Sequence, residues 1–278
     1  MINIRAREIK NGLIFLIALI ILAAMLIPYV WLALTALKNR VDIFSIPPKI
    51  FFYPTWSNFI VAFNEKGFLQ NLRNSTIVAL SSTIITLLGG VPAAYSLTRF
   101  HTRGNNLYLF FLLAARLLPG IVLAVPLFIL FSKAKLINNF AAVVLSHITF
   151  NLPFAVWMMR SFFLEVPIAL DEAATMDGCT PFGTFTKIVL PLVKGGLVAT
   201  GIFCLINSWN EFLLALILTG RQTATMPVAI PGLMTPLGTF WGQIAAVGTV
   251  TTLPVMIFAL IVQKYIVQGM TGGAIQGE

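Results

Sequence analysis

The sequence predicts an all-α membrane protein with six transmembrane helices. Three observations carry this. The 278 residues are 58% hydrophobic and only 10% charged, where an ordinary soluble domain carries roughly 25% charged residues. So few charges cannot cover a globule of this size with a hydrated surface, whereas lipid accepts an apolar exterior. Six apolar segments reach the ~20 residues needed to cross a hydrocarbon core, and Lys and Arg stand singly at their flanks. That scatter excludes the nucleic-acid partner that a net charge of +9 would suggest, because no basic stripe follows a phosphate backbone.

The first segment, 12–37, follows Arg5, Arg7 and Lys10. It is far longer than the 7–15-residue core of a signal peptide, and no small-residue cleavage site follows it, so it reads as a retained helix. The others are expected at 73–98, 107–131, 139–160, 188–218 and 242–266. Pro28, Pro92, Pro119, Pro126, Pro153 and Pro254 fall within these runs. A bundle tolerates them because neighbouring groups satisfy the freed carbonyls. They serve as packing kinks or as bends lining a path. Gly89-Gly90 and Gly195-Gly196 invite close helix approach. Cys179 and Cys204 are expected as unpaired thiols, and His101 and His147 have no metal-ligand spacing, so structural roles suit them. Arg116, inside the third run, is expected to pair or to snorkel.

The proline-containing stretch between the first two helices reads as a small extramembrane cap, with Trp31, Trp56 and Trp241 as interfacial aromatics. This divides the chain into 1–70 (first helix and extracytoplasmic cap), 71–266 (core) and 267–278 (C-terminal tail). With a cytoplasmic N-terminus, basic residues favour the inside only narrowly. The N-terminal trio and the Arg99–Arg103 turn support that orientation, with both termini cytoplasmic.

Four of the nine acidic residues, Glu165, Asp171, Glu172 and Asp177, crowd the loop at about 161–187, between the fourth and fifth helices. Pro167 suits a first helical turn and Gly178 the position just past a helix end. The spacing of Ile168, Asp171, Glu172 and Thr175 puts them on one side of a short helix, and Ala173 and Ala174 permit close approach. Too short to be stable alone, this helix needs something docked against it.

Glu172-Ala173-Ala174, Gly178, Ile188 and Leu190-Pro191 form the pattern E-A-A-x₃-G-x₉-I-x-L-P without a gap. This resembles the EAA loop of permease subunits of binding-protein-dependent ATP-binding-cassette (ABC) sugar importers. The run 207–213 and the Gly-rich tail 265–277 are similar to the shorter, six-span permease of the maltose-type subfamily. The resemblance implies a type I ABC importer permease with a cytoplasmic EAA coupling helix between helices 4 and 5. In that family the coupling helix sits in a cleft of an ATPase subunit and moves with it as a rigid body. Glu172, Ala173, Ala174, Asp177 and Gly178 are then expected to couple to the ATPase, with Gly272, Gly273 and Gln276 touching it from the tail. The expected partners are a second, different permease subunit, two ABC ATPase subunits, an extracytoplasmic solute-binding protein and a sugar. The membrane would be the bacterial or archaeal cytoplasmic (inner) membrane.

No G-x-x-x-x-G-K-[ST] phosphate loop is present, so no cofactor is expected in this chain; ATP and Mg²⁺ belong on the partner ATPase. Nor is there an H-E-x-x-H or G-x-S-x-G constellation, so the chain is read as a transport subunit and not an enzyme. Asn207, Trp209, Asn210 and Glu211 lie late in the fifth helix. Intramembrane polar groups are costly, so these four are expected either on the substrate path or in interhelical hydrogen bonds. An oligosaccharide or disaccharide is the expected solute. The same machinery carrying a polyol or glycerol phosphate, or an ion-coupled secondary transporter, remains the alternative.

Overall fold

A computed structural model describes residues 2–100, 104–236 and 238–272. Among the described residues, four helices are long and apolar enough to cross a membrane: Lys10–Ala36, Phe68–Arg99, Phe140–Glu165 and Trp241–Gln263. Two bent pairs bring the number to six if each pair counts as one span. Apart from single-turn helices such as Arg40–Ile43, Ser57–Ile60 and Met226–Ala229, the helices in chain order are α1 (Ile2–Ala36), α2 (Phe68–Arg99), α3 (Asn105–Leu117), α4 (Gly120–Lys133), α5 (Phe140–Glu165), α6 (Ala169–Met176), α7 (Pro181–Leu192), α8 (Lys194–Asn210), α9 (Leu213–Leu218) and α10 (Trp241–Gly272).

The third and fifth expected spans are therefore not straight helices. Between α3 and α4 the chain turns by 98°. Leu118 is extended (φ −69°, ψ 127°) because Pro119 follows it, and the residue before a proline is driven out of the helical region. Between α7 and α8 the bend is 81°. Within α7 a π-turn spans Phe185–Val189, and the Leu190 N–H bonds back to the Phe185 carbonyl. That widened turn precedes Pro191, whose ring crowds a regular helix. Apolar composition continues across both breaks, which hides them from a hydropathy reading. Pro28, Pro92, Pro126, Pro153 and Pro254 stay within helices.

The chain divides into two compact units. The first comprises Met1–Leu69 and Ile230–Leu253. Its core joins Ala36, Ala245 and Ala246 with Leu32 and Phe59. The Asn58 amide donates to the carbonyls of Ala36 (2.9 Å) and Lys38 (2.8 Å), and a Cβ at Gly242 would overlap that amide. Only glycine lets α10 begin there. The Lys38 ammonium lies 4.2 Å from the Trp31 ring centre, where the ring face stabilises a cation screened from water. A two-stranded antiparallel hairpin, β1 (Met234–Thr235) and β2 (Gly238–Thr239), leads into α10.

The second unit comprises Gln70–Ala229 and Pro254–Glu278. Its described part has two apolar clusters. One joins Val91, Ala94 and Tyr95 of α2 to Val156, Met159 and Phe163 of α5 and to Phe185 and Val189 of α7. The other gathers Val78, Phe131, Val143, Ala215 and Leu218. Glycines bring the helices close, as expected. A Cβ at Gly90 would stand 3.3 Å from the Ala155 methyl, and one at Gly196 would overlap the Phe162 ring. Without a hydrophobic driving force between helices in lipid, such close packing supplies the association energy.

Candidate functional site

The acidic loop folds as α6, an eight-residue helix. Its C-terminus is closed by the Cys179 N–H on the Ala174 carbonyl (2.9 Å) and the Gly178 N–H on the Thr175 carbonyl (3.0 Å). Gly178 has φ +79°, the left-handed conformation such a cap requires. Thr180 then caps α7, its hydroxyl accepting from the Gly183 N–H at 3.1 Å.

One face of α6 is bound to the helices α2, α5 and α7 of its own unit. The Tyr95 hydroxyl donates to Asp171 Oδ1 at 2.6 Å, and Arg99 lies 3.1 Å from Asp171 Oδ2. Arg99 also donates to the Val166 carbonyl at 2.8 Å. Tyr95 meets Phe163 edge-on (ring centres 5.6 Å apart) and lies tilted against Phe185 (4.9 Å), so α6 rests on an aromatic platform shared by α2, α5 and α7. Ala174 is buried at 2% exposure.

The other face is open. Glu172, Ala173, Asp177 and Gly178 are exposed, flanked by exposed Ile168, Leu170, Met176 and Phe182. Two expectations need correction. Asp171 does not share the open side with Glu172, because a residue step turns the helix by about 100° and Asp171 answers Arg99. Ala174 allows the close approach expected of it, but toward its own chain. In the sequence Arg99 is read only as part of a basic turn and Tyr95 is not singled out; their i, i+4 spacing at the end of α2 is the signal that links them. Of the tail residues, Gly272 ends α10, while Gly273 and Gln276 lie outside the described residues, as do His101 and Arg103.

The late polar residues of the fifth span separate into two groups. Asn207 and Asn210 are exposed, with the Asn210 amide donating to the Ile206 carbonyl at 3.0 Å. Trp209 is buried at 5% exposure, so it presents no free face for a sugar ring. Glu211 accepts from the N–H groups of Leu214 (2.8 Å) and Ala215 (2.9 Å), capping α9 at the break after α8. Its carboxylate also lies 3.3 Å from His147 Nε2. His147 Nδ1 is 2.5 Å from the Ser208 hydroxyl, which is 2.9 Å from that of Ser82. This buried string ties α2, α5 and α8 together. It gives His147 the structural role expected of it and makes Glu211 an interhelical group. Arg116 pairs with an aromatic ring, 4.8 Å from the centre of Phe154. Cys179 and Cys204 are free thiols.

Comparison with known proteins agrees with this architecture. The family model described as "Binding-protein-dependent transport system inner membrane component" matches residues 86–272. A protein of Sinorhizobium fredii named "Probable ABC transporter permease protein" is 41% identical over 251 residues, 90% of each chain. The trehalose/maltose transport system permease protein of Thermococcus litoralis is 32% identical over 278 residues, 99% of this chain and 100% of its own. Among solved structures, a bacterial ABC transporter that imports the acidic polysaccharide alginate superposes with a TM-score of 0.76 at 21% identity, covering 91% of this chain and 95% of its own.

Proposed function

The chain belongs to the family of binding-protein-dependent transport system inner membrane components, and from that premise we propose that it forms half of the path by which an ABC importer carries a carbohydrate, an oligosaccharide or disaccharide, across the cytoplasmic membrane. The similarity along the whole length to a trehalose/maltose permease supports the solute class. A second permease subunit completes the path, an extracytoplasmic binding protein delivers the sugar, and two ATPase subunits hold ATP and Mg²⁺. Both chain termini face the cytoplasm, and the permease itself carries out no covalent chemistry.

One observation carries the mechanism: α6 is fastened on one face and open on the other. Asp171, held by Tyr95 and Arg99, makes the helix a rigid extension of α2, α5 and α7. Glu172 and Ala173 point away from that seat. An ATPase groove receiving this open face moves the helix as it closes on ATP. The seat passes the displacement to three spans at once, and the cavity between the two permease subunits opens outward. Such rigid-body transmission needs no chemistry within the chain.

In the family this chain resembles, the acidic residue at this position is expected to meet a basic residue of the ATPase, so replacing Glu172 with Lys sets like charges together, at a cost of several kcal/mol. ATP-driven sugar uptake in proteoliposomes should fall by at least about ten-fold while the amount of inserted protein is unchanged. Uptake at the wild-type rate would refute the coupling role.

A further inference from the structure

A second polar site lies at the opposite end of the second unit. Residues Gln70, Arg73, Asn74, Ile77, Asn138–Phe140, Gln222 and Thr223 line a cavity of about 570 Å³, within the roughly 300–1,000 Å³ usual for small-molecule sites. Gln70 and Asn74 start α2, whereas Tyr95 and Arg99, which hold α6, end it. At ~1.5 Å per residue, Arg73 and Arg99 stand about 40 Å apart along the axis. The cavity therefore opens on the side of the membrane away from α6.

The walls are held in place by the chain's own bonds. The amides of Gln70 and Asn74 donate to the Gln222 carbonyl at 3.1 and 2.9 Å, and those of Asn71 and Asn74 to the Ala224 carbonyl at 2.9 and 3.0 Å. Across the cavity, Asn138 Oδ1 accepts from the Gly220 N–H (3.0 Å) and the Thr223 hydroxyl (2.8 Å). Asn138 adopts φ +61°, a conformation asparagine tolerates better than most residues. A Cβ at Gly220 would overlap its side chain, so the two loops are locked together before any ligand arrives.

What remains unsatisfied has a definite chemistry. Arg73 and Gln222 are exposed, and no partner for either side chain is found among the described residues. Asn139 spends its carbonyl oxygen on the Ala141 N–H, which leaves its NH₂ group. Amides pair with hydroxyls, the Phe140 ring offers an apolar face, and the guanidinium fork matches a carboxylate. No acidic residue lines the cavity. The neighbouring Lys133, Lys135 and Arg221 are exposed and make no ion pair among the described residues, so the local field attracts anions. Basic residues on this side run against the cytoplasmic preference of Lys and Arg.

We propose that this cavity is an entry subsite for a saccharide bearing a carboxylate, with Arg73 binding the carboxylate and the amides of Gln222 and Asn139 binding hydroxyls. The inference rests on the sugar-import reading and names the class of sugar. The test uses the complete importer in lipid nanodiscs. Hydrogen–deuterium exchange of segments 70–76, 136–141 and 219–225 is followed with maltose, cellobiose and trehalose, and with the corresponding disaccharides carrying a glucuronic acid unit. The uronates should slow exchange in all three segments more than the neutral sugars do, and Arg73→Gln should raise the half-saturating uronate concentration by roughly ten-fold. Protection by no sugar overturns the proposal, as does equal protection by neutral and acidic sugars that Arg73→Gln leaves unchanged. An Arg73→Gln variant that loses only the stimulation of ATPase activity by the binding protein overturns it as well, making Arg73 a protein-docking residue. ATP-dependent uptake of radiolabelled sugars, measured in parallel, separates the premise from the inference: uptake without protection removes the subsite alone, whereas absence of uptake for every sugar removes the import reading beneath it.

Discussion

The Asp171 carboxylate is held by Tyr95 at 2.6 Å and Arg99 at 3.1 Å, while the adjacent Glu172 stays exposed. In the sequence both belong to one acidic cluster, and helical spacing alone cannot say which of two neighbours turns inward. The deciding partners lie on α2, more than seventy residues earlier, and only the fold brings them close. Glu211 is a parallel case. Its residue type fits a sugar-binding carboxylate, yet its oxygens are taken by the N–H groups of Leu214 and Ala215 and face His147. Residue type limited its chemistry, whereas the break after α8 determined its use. Breaking a mostly buried ion pair leaves an uncompensated charge, at roughly 3–5 kcal/mol. A double-mutant cycle of Arg99→Ala and Asp171→Ala should therefore show a coupling energy above about 1 kcal/mol in the thermal or denaturant unfolding of the purified complex. Additive effects would mean that the pair does not fasten α6.

Long helices and their breaks differ in legibility. A run of twenty apolar residues has few alternatives to a spanning helix, so α1, α2, α5 and α10 follow directly from composition. α1 and α10 extend beyond the expected limits of 12 and 266, to Ile2 and Gly272, running through Gly12 and Gly269. The breaks at Leu118–Pro119 and Val193 are set by local backbone preference within runs of unchanged hydropathy. Close approach is legible at Gly90 and Gly196, whereas a Cβ at Gly89 would make only ordinary contact. Gly196 packs against the Phe162 ring with no space for a side chain. Gly196→Leu should push α8 away from α5 and lower the melting temperature of the complex, while adding Phe162→Ala should recover part of the loss. A double variant no more stable than Gly196→Leu alone would show that this contact does not set the spacing of the two helices.

For the whole molecule, the decisive feature is the separation between two ends of the second unit. One end carries α6 with its open acidic face, and the other the amide-lined cavity with Arg73. In the mechanism we propose, energy supplied at the first end drives solute movement near the second; the Ser82–Ser208–His147–Glu211 string and the packed glycines hold the spans between them together. The proposed coupling requires the open face of α6 to lie in the cytoplasm, seated against a separate ATPase. The direct measurement is labelling of Ala173→Cys, in a Cys179→Ser background, by a membrane-impermeant maleimide. No labelling is expected from outside intact cells, with full labelling in inverted vesicles stripped of the ATPase and protection once the ATPase is added back. Labelling from outside intact cells, or undiminished labelling with the ATPase bound, would contradict that coupling.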